Sequence, residues 1–419
     1  MIMDWNGQVV WFSPTVQGGT NNLAVQSYQG RPVLTWFDSQ PVTGGILNFT
    51  PGTYTIADET YTPIATVSAV GSGYAADTHE CVLTSNGTAY ITAGRQASAD
   101  LTAVGGPASG QILDYCVQEI DIATGNLLFQ WNGLANIPVE DTYLAYSPGR
   151  LFDPYHFNSI GVAPDGNLLV SARNTCTVYK VSRRTGAIMW RLGGKRSSFA
   201  MGPGTSFAWQ HDAKPHGGAM VSILDDEAPP TASRAIFVVL DTSSMRASLA
   251  RQYTRPGGAV ANLQGSVQSL DGGRVLVGWG EEPYATEFSH DGQVLWEAQF
   301  PVISSSPEAS YQSYRTLSFD WSGTPADPPD IAVTSGAGSG TTVYASWNGA
   351  TEVATWTVLA GSDPSALAPA ATAARTGFET SIPVTSAAGP YYAVIAENAK
   401  GRELRRSSPV TLGAATTRQ

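Results

Sequence analysis

The feature that most constrains this chain is a repeated unit: a polar turn ending in glycine, then an alternating apolar stretch that often ends on tryptophan. Asn6-Gly7 leads to VVWF, Asn86-Gly87 to TAYITA, Thr124-Gly125 to NLLFQW and Asp165-Gly166 to NLLVSAR. Thr185-Gly186 leads to AIMWRLGG, Gly272-Gly273 to RVLVGWG and Asp291-Gly292 to QVLWEAQF. These are strand starts. Gly166 and Gly186 are 20 residues apart, as are Gly272 and Gly292, the spacing expected of corresponding hairpin turns in successive copies of one unit. Units of roughly 50 residues over the first 325 predict about six four-stranded blades around a central channel. A β-sandwich is the alternative reading of the same pattern.

Composition agrees with an all-β chain. The 44 Gly, 26 Pro, 11 Trp and 17 Tyr among 419 residues suit many short strands joined by tight turns. The chain has 34 acidic against 23 basic residues, and no Lys/Arg run exceeds two, which excludes nucleic acid and anionic membranes as expected partners. An anionic small molecule still fits, because a pocket can gather a few cationic groups inside an acidic protein. No apolar run is long enough to span a bilayer, and Met1 leads straight into Asp4-Trp5-Asn6-Gly7 with no signal peptide. Cys81, Cys116 and Cys176 form no CxxC motif; one disulfide plus one thiol and three thiols are both open.

Pro325-Ala326-Asp327-Pro328-Pro329 reads as a linker, since a proline-dense run breaks strand pairing. It separates residues 1–325, the expected propeller, from residues 326–419. In the latter, TTVYASWNGATEVATWTVL alternates around an Asn-Gly turn and GPYYAVIAENAKGRE adds paired tyrosines, a pattern resembling a fibronectin type III or Ig-like sandwich.

The chain has five histidines. His79 follows Asp77-Thr78, His156 follows Tyr155, and His211 follows Trp209-Gln210, each read as a loop-to-strand junction where propellers display functional groups. His216 and His290 are assigned structural roles. Arg173 ends the apolar strand Leu168 to Ala172, where a guanidinium facing the core would be costly, so it is expected to point into a polar channel. A guanidinium fork matches a tetrahedral oxyanion, and imidazoles can bind its oxygens, attack its centre or protonate its leaving group. The three histidines lack short ligand spacing, so neither a metal nor another cofactor is expected.

On these residues the chain resembles the arylsulfotransferases, specifically their actinobacterial and fungal branch. The resemblance runs through His156-Phe157-Asn158-Ser159-Ile160, Gly166 to Arg173, Thr185-Gly186 to Lys195, Gln210-His211-Asp212, Ser233-Arg234 and Gly278-Trp279-Gly280 in that order. It implies a six-bladed propeller that moves a sulfuryl group from an aryl sulfate to a phenol by a ping-pong route, without a nucleotide donor. His211 would be the transiently sulfated nucleophile, and Arg173, His156 and His79 would bind the sulfate oxygens. His156 is also the candidate for protonating the departing phenolate, a role left open between it and His79. Tyr155, Phe157, Asn158, Asn174 and Trp209 are the candidates for holding a small aromatic substrate. The full-length protein would be secreted or in the cell envelope, with a cytoplasmic location also open, and the first blade reads as incomplete. Two other functions compete: the same propeller running a different reaction, such as cyclisation of a natural product, and a secreted propeller that only binds. In the last case His79, His156, Arg173 and His211 would not converge.

Overall fold

The turn glycines set where the strands begin. Gly166 and Gly186 stand at φ +75° and +71°, a region that residues with a Cβ rarely enter, and the chain reverses at each of them. The strands Phe157–Val162, Leu168–Ala172, Thr177–Val181 and Ile188–Gly193 follow as one antiparallel four-stranded sheet. Ser266–Ser269, Val275–Gly278, Tyr284–Phe288 and Val294–Gln299 build a second four-stranded sheet in the same way. In both, the 20-residue spacing connects the turn after the first strand with the turn after the third. The two sheets are not successive, as the spacing had suggested. Between them lies a sheet of Ala200–Met201, His211–His216, Met220–Asp225, Arg234–Asp241 and Arg246–Tyr253. Its reversal between Arg234–Asp241 and Arg246–Tyr253 is held by the Asp241 carboxylate, which accepts from Ser243 and Ser244, so it needs no Asp-Gly pair and leaves no such signal.

This computed structural model describes residues 1–13, 19–40, 49, 51–226, 232–301, 312–335, 340–384 and 389–416. It is an all-β protein, and among the described residues no sheet closes on itself. The chain divides into two compact units, one of Thr15–Ile56 with Ala65–Phe319, the other of Met1–Pro14, Ala57–Ile64 and Asp320–Gln419. In the second unit, the sheet of Asp330–Ser335, Thr341–Ser346 and Glu379–Val384 and the sheet around Thr355–Gly361 and Tyr391–Glu397 contribute to one core. Val343, Ile382, Trp356 and Val394 meet there. Trp11 stacks on Tyr61 at 5.0 Å within this unit, and the Tyr61 hydroxyl donates to Gly349 O at 2.6 Å.

The first unit opens with an eight-stranded sheet in two sets that meet at the residue pair Gly52–Ala76. One set includes Thr20–Tyr28, and the other begins with Ala75–Leu83. The first strands of the sheets then run side by side in one direction. Asn22 Nδ2 donates to His79 O at 3.1 Å and Gln26 Nε2 to Cys81 O at 3.0 Å. Ile160 N–H donates to the Glu80 carboxylate at 3.3 Å, and Lys214 Nζ to Ile160 O at 3.0 Å. Val267 N–H donates to Asp212 at 2.9 Å, and Ser266 Oγ to Thr316 O at 3.0 Å. Arg315 Nη1 returns to Asn22 Oδ1 at 3.2 Å. A buried salt bridge lies among these segments: Arg315 grips both Glu80 oxygens at 2.7 and 2.9 Å, and Lys214 binds the same carboxylate. Burial pushes the Glu80 carboxyl up, but Arg315 and Lys214 outweigh it and hold the group below its ordinary value.

Candidate active site

Each candidate histidine lies in or beside a strand irregularity. Strand register shifts between Ala76 and Cys81, between Phe157 and Ser159, and between His211 and Lys214. Such bulges turn a side chain out of the regular alternation of the ladder. His79 lies inside the strand Ala75–Leu83 rather than at a loop junction, and the bulge re-aims it. His156 precedes the strand Phe157–Val162, at φ +53°, and His211 opens the strand His211–His216 between Trp209 at φ +55° and Asp212 at φ +50°. Non-glycine residues at positive φ carry strain and persist where the surroundings over-determine them.

Those surroundings are visible for His156. One Asp153 oxygen accepts from the N–H of His156 at 2.9 Å and of Tyr155 at 3.3 Å, while the other pairs with His156 Nδ1 at 2.7 Å. A single carboxylate thereby fixes both the turn and the ring. The same pairing recurs twice: Asp77 Oδ2 pairs with His79 Nδ1, and Asp226 Oδ2 with His211 Nδ1. A carboxylate accepts, so Nδ1 carries the proton in each neutral ring and Nε2 keeps its lone pair. These three aspartates hold the rings of the candidate histidines, and the sequence pattern alone did not single them out. Asp77 and Asp153 sit two and three residues before their histidines, a local signal that was available. Asp226 gives none, because only the hairpin of His211–His216 with Met220–Asp225 brings it to the same end of the sheet.

The rings converge. His79 and His156 lie 4.6 Å apart between centroids, with Tyr115 5.6 Å from His156. The Arg173 guanidinium lies 4.9 Å over the Trp209 ring and donates to Asn174 Oδ1 at 3.1 Å and Asn262 O at 2.8 Å. It is near enough to His211 and His156 to disfavour their protonated forms. The Tyr314 hydroxyl ties the carbonyls of His79 and Asn158 together at 3.3 and 3.2 Å.

Of the residues assigned to the substrate, Trp209 is partly exposed beneath Arg173. Asn174 Nδ2 donates to Asp153 O at 2.7 Å and so braces the His156 turn. Asn158 Nδ2 donates to Gln210 O at 2.7 Å, joining two first strands. Tyr155 and Phe157 belong to the core: the Tyr155 hydroxyl donates to Ile137 O at 2.9 Å, and Phe157 stacks on Trp131 at 5.5 Å. His216 Nε2 meets Ser222 Oγ at 2.9 Å. All three cysteines are buried free thiols. Among the described residues no group of three or more His, Cys, Asp or Glu is arranged to hold a metal ion, and no helix is long and apolar enough to cross a membrane. A cavity of about 410 Å³ opens further along the same strands, lined in part by Gln26, Glu80, Lys214, Gln268 and Arg315; none of the three site histidines lines it.

Burial holds the His211 imidazole well below its ordinary value of 6.5, and the charges on Arg173, His156 and His79 add to this. Burial also lowers His156, against the pull of Asp153. Both values fall below those in the unfolded chain, so on acidification the unfolded chain takes up protons first. Stability is therefore undiminished by these groups above about pH 6.5 and declines as the pH falls below it. The thermal midpoint is expected to drop from about pH 7 to about pH 5 and to drop less in His211→Asn. Equal drops in both proteins, followed by circular dichroism, would contradict this assignment.

The all-β scaffold thus gathers three Asp-paired histidines on side-by-side strands, with Arg173, which follows the second strand of its sheet, beside them. The family model described as arylsulfotransferase (ASST) matches residues 24–301, and the chain belongs to that family. His79, His156, Arg173 and His211 all fall inside the matched span. No curated protein matches the sequence. Among solved structures, a Bacteroides caccae protein of unknown function is similar at TM-score 0.42 and 13% identity, over 70% of this chain and 86% of that one. A Dyadobacter fermentans protein of unknown function gives 0.42 and 10%, over 90% and 97%. A catalytically inactive Staphylococcus aureus virginiamycin B lyase with quinupristin gives 0.35 and 10%, over 94% and 95%.

Proposed function

We propose that this chain moves a sulfuryl group from an aryl sulfate to a phenolic acceptor through a sulfated His211, on a six-bladed propeller followed by a small sandwich. The observation that carries the reading is the Asp226–His211 pair, which leaves Nε2 as the nucleophilic nitrogen of a buried, unprotonated imidazole. The ring of side-by-side segments from Asn22 to Arg315 supports six blades, and family membership supports the aryl sulfate class.

In the first half-reaction the Nε2 lone pair attacks sulfur and the S–O bond to the aryl group breaks, its electron pair leaving as phenolate. Arg173, with the Nε2–H of a His156 imidazolium carried over from the preceding turnover, faces the sulfuryl oxygens and offsets the charge that builds on them. In the second half-reaction the acceptor phenol gives its proton to His156 Nε2 as its oxygen attacks sulfur and the N–S bond breaks. Asp153 steadies the imidazolium so formed, which then protonates the next departing phenolate, so the proton balance closes over one turnover. A secreted or envelope location suits an enzyme that needs no nucleotide donor. Release of nitrophenol from 4-nitrophenyl sulfate, followed by absorbance at varied phenol, tests the proposal. Parallel double-reciprocal lines and acceptor-dependent release are expected; release unaffected by any phenol would overturn it.

A further inference from the structure

His211 is 2% exposed, and Nε2, the atom that must meet sulfur, already accepts the Gln264 N–H at 3.2 Å. The same short loop takes up the arginine, since Asn262 O accepts from Arg173 Nη2 at 2.8 Å. One stretch of backbone therefore occupies both groups that an oxyanion would need. The loop itself is at the surface, with Leu263 45% exposed, whereas the imidazole beneath it is not.

The loop's ground state is held from one side. Glu281 Oε1 accepts from both Asn262 N–H at 2.8 Å and Asn262 Nδ2 at 2.6 Å, and the Glu281 N–H donates to Leu263 O at 3.3 Å. Beyond the loop, Gly265 N–H donates to Tyr314 O at 2.9 Å, which fixes the far end. Gln264, at φ +70°, lies between these anchors in a conformation unfavourable for a residue with a side chain. Strain in the middle and ties at the ends describe a segment with a second arrangement within reach.

We propose that Asn262–Gly265 is a displaceable gate that caps His211 and Arg173 until a sulfate ester takes its place. The Asn262 carbonyl stands where an ester oxygen would receive the guanidinium, and the Gln264 N–H shields the nucleophilic nitrogen. On opening, Arg173 passes from the Asn262 carbonyl to a sulfuryl oxygen, and Nε2 is released to attack. Gating of this kind keeps water and small anions from a site that must carry a hydrolysable intermediate. The substrate-specific consequence rests on the sulfotransferase reading, but the cap itself does not.

The test is labelling of histidines by diethyl pyrocarbonate in the substrate-free protein, with each site quantified by peptide mass spectrometry. His211 is expected to label more slowly than His156 in the native chain. Glu281→Ala removes two hydrogen bonds from the closed loop, so the ratio of His211 to His156 labelling should rise about tenfold. Glu281→Gln keeps an acceptor oxygen for Asn262 and should stay near the native ratio. An unchanged ratio in Glu281→Ala would overturn the gate, as would a parallel rise at His79, His156 and His211. Nitrophenol release is read separately: its absence with the gate response intact would remove sulfotransfer alone, and its presence without the response would remove the gate alone.

Discussion

His211→Ala is expected to abolish the burst of nitrophenol from 4-nitrophenyl sulfate and to lower turnover by about 10⁴-fold or more, the scale seen when a covalent nucleophile is removed. The effect should fall on kcat and kcat/KM together, because Arg173, His79 and His156 would remain to bind the ester. The fold should tolerate the change. Asp226 would lose its imidazole partner at a buried position, yet the other strands of the same sheet are paired independently of the ring. Near-native unfolding behaviour beside lost turnover would separate chemistry from stability. Turnover retained within tenfold would mean that another group attacks sulfur.

Asp226→Asn is expected to be nearly as severe, at roughly 10⁴-fold, although it removes no atom from the imidazole. The aspartate accepts from Nδ1–H and so leaves Nε2 as a bare nitrogen. A carboxamide can turn its NH₂ toward Nδ1 instead, and the proton then resides on Nε2, where it blocks attack. The imidazole is already held neutral by burial, so raising the pH cannot restore the correct tautomer. The defect should therefore persist from about pH 6 to pH 9. A variant that recovers at high pH would show that the aspartate acts on the charge of the ring rather than on its tautomer.

How much of this was legible in the sequence follows from the range of each signal. Turn glycines such as Gly166 and Gly186 act locally through φ, so strand starts could be read directly. The sheet between the two regular ones was less legible, because Asp241 with Ser243 and Ser244 makes its turn by side-chain capping. The grouping of Met1–Pro14 and Ala57–Ile64 with Asp320–Gln419 left no local trace, since contacts such as Trp11 with Tyr61 carry no spacing signal. In the site, His79, His156, Arg173 and His211 could be picked out by residue type and setting. The carboxylates that orient the rings are readable only where they are neighbours in sequence, as Asp153 is to His156 and Asp226 is not to His211. Tyr155 and Phe157 show the opposite limit: beside a functional histidine, alternate residues enter the core, and adjacency alone does not distinguish packing from contact with a ligand.

The central claim is that His211 Nε2 carries the sulfuryl group between donor and acceptor. Intact-mass spectrometry of the protein quenched soon after mixing with 4-nitrophenyl sulfate, without acceptor, tests it most directly. The expected result is a gain of one sulfuryl group that is acid-labile, maps to the His211 peptide, disappears on adding phenol and is absent from His211→Ala. An unmodified protein that nevertheless transfers sulfate to phenol, or an adduct that survives in His211→Ala, would contradict it.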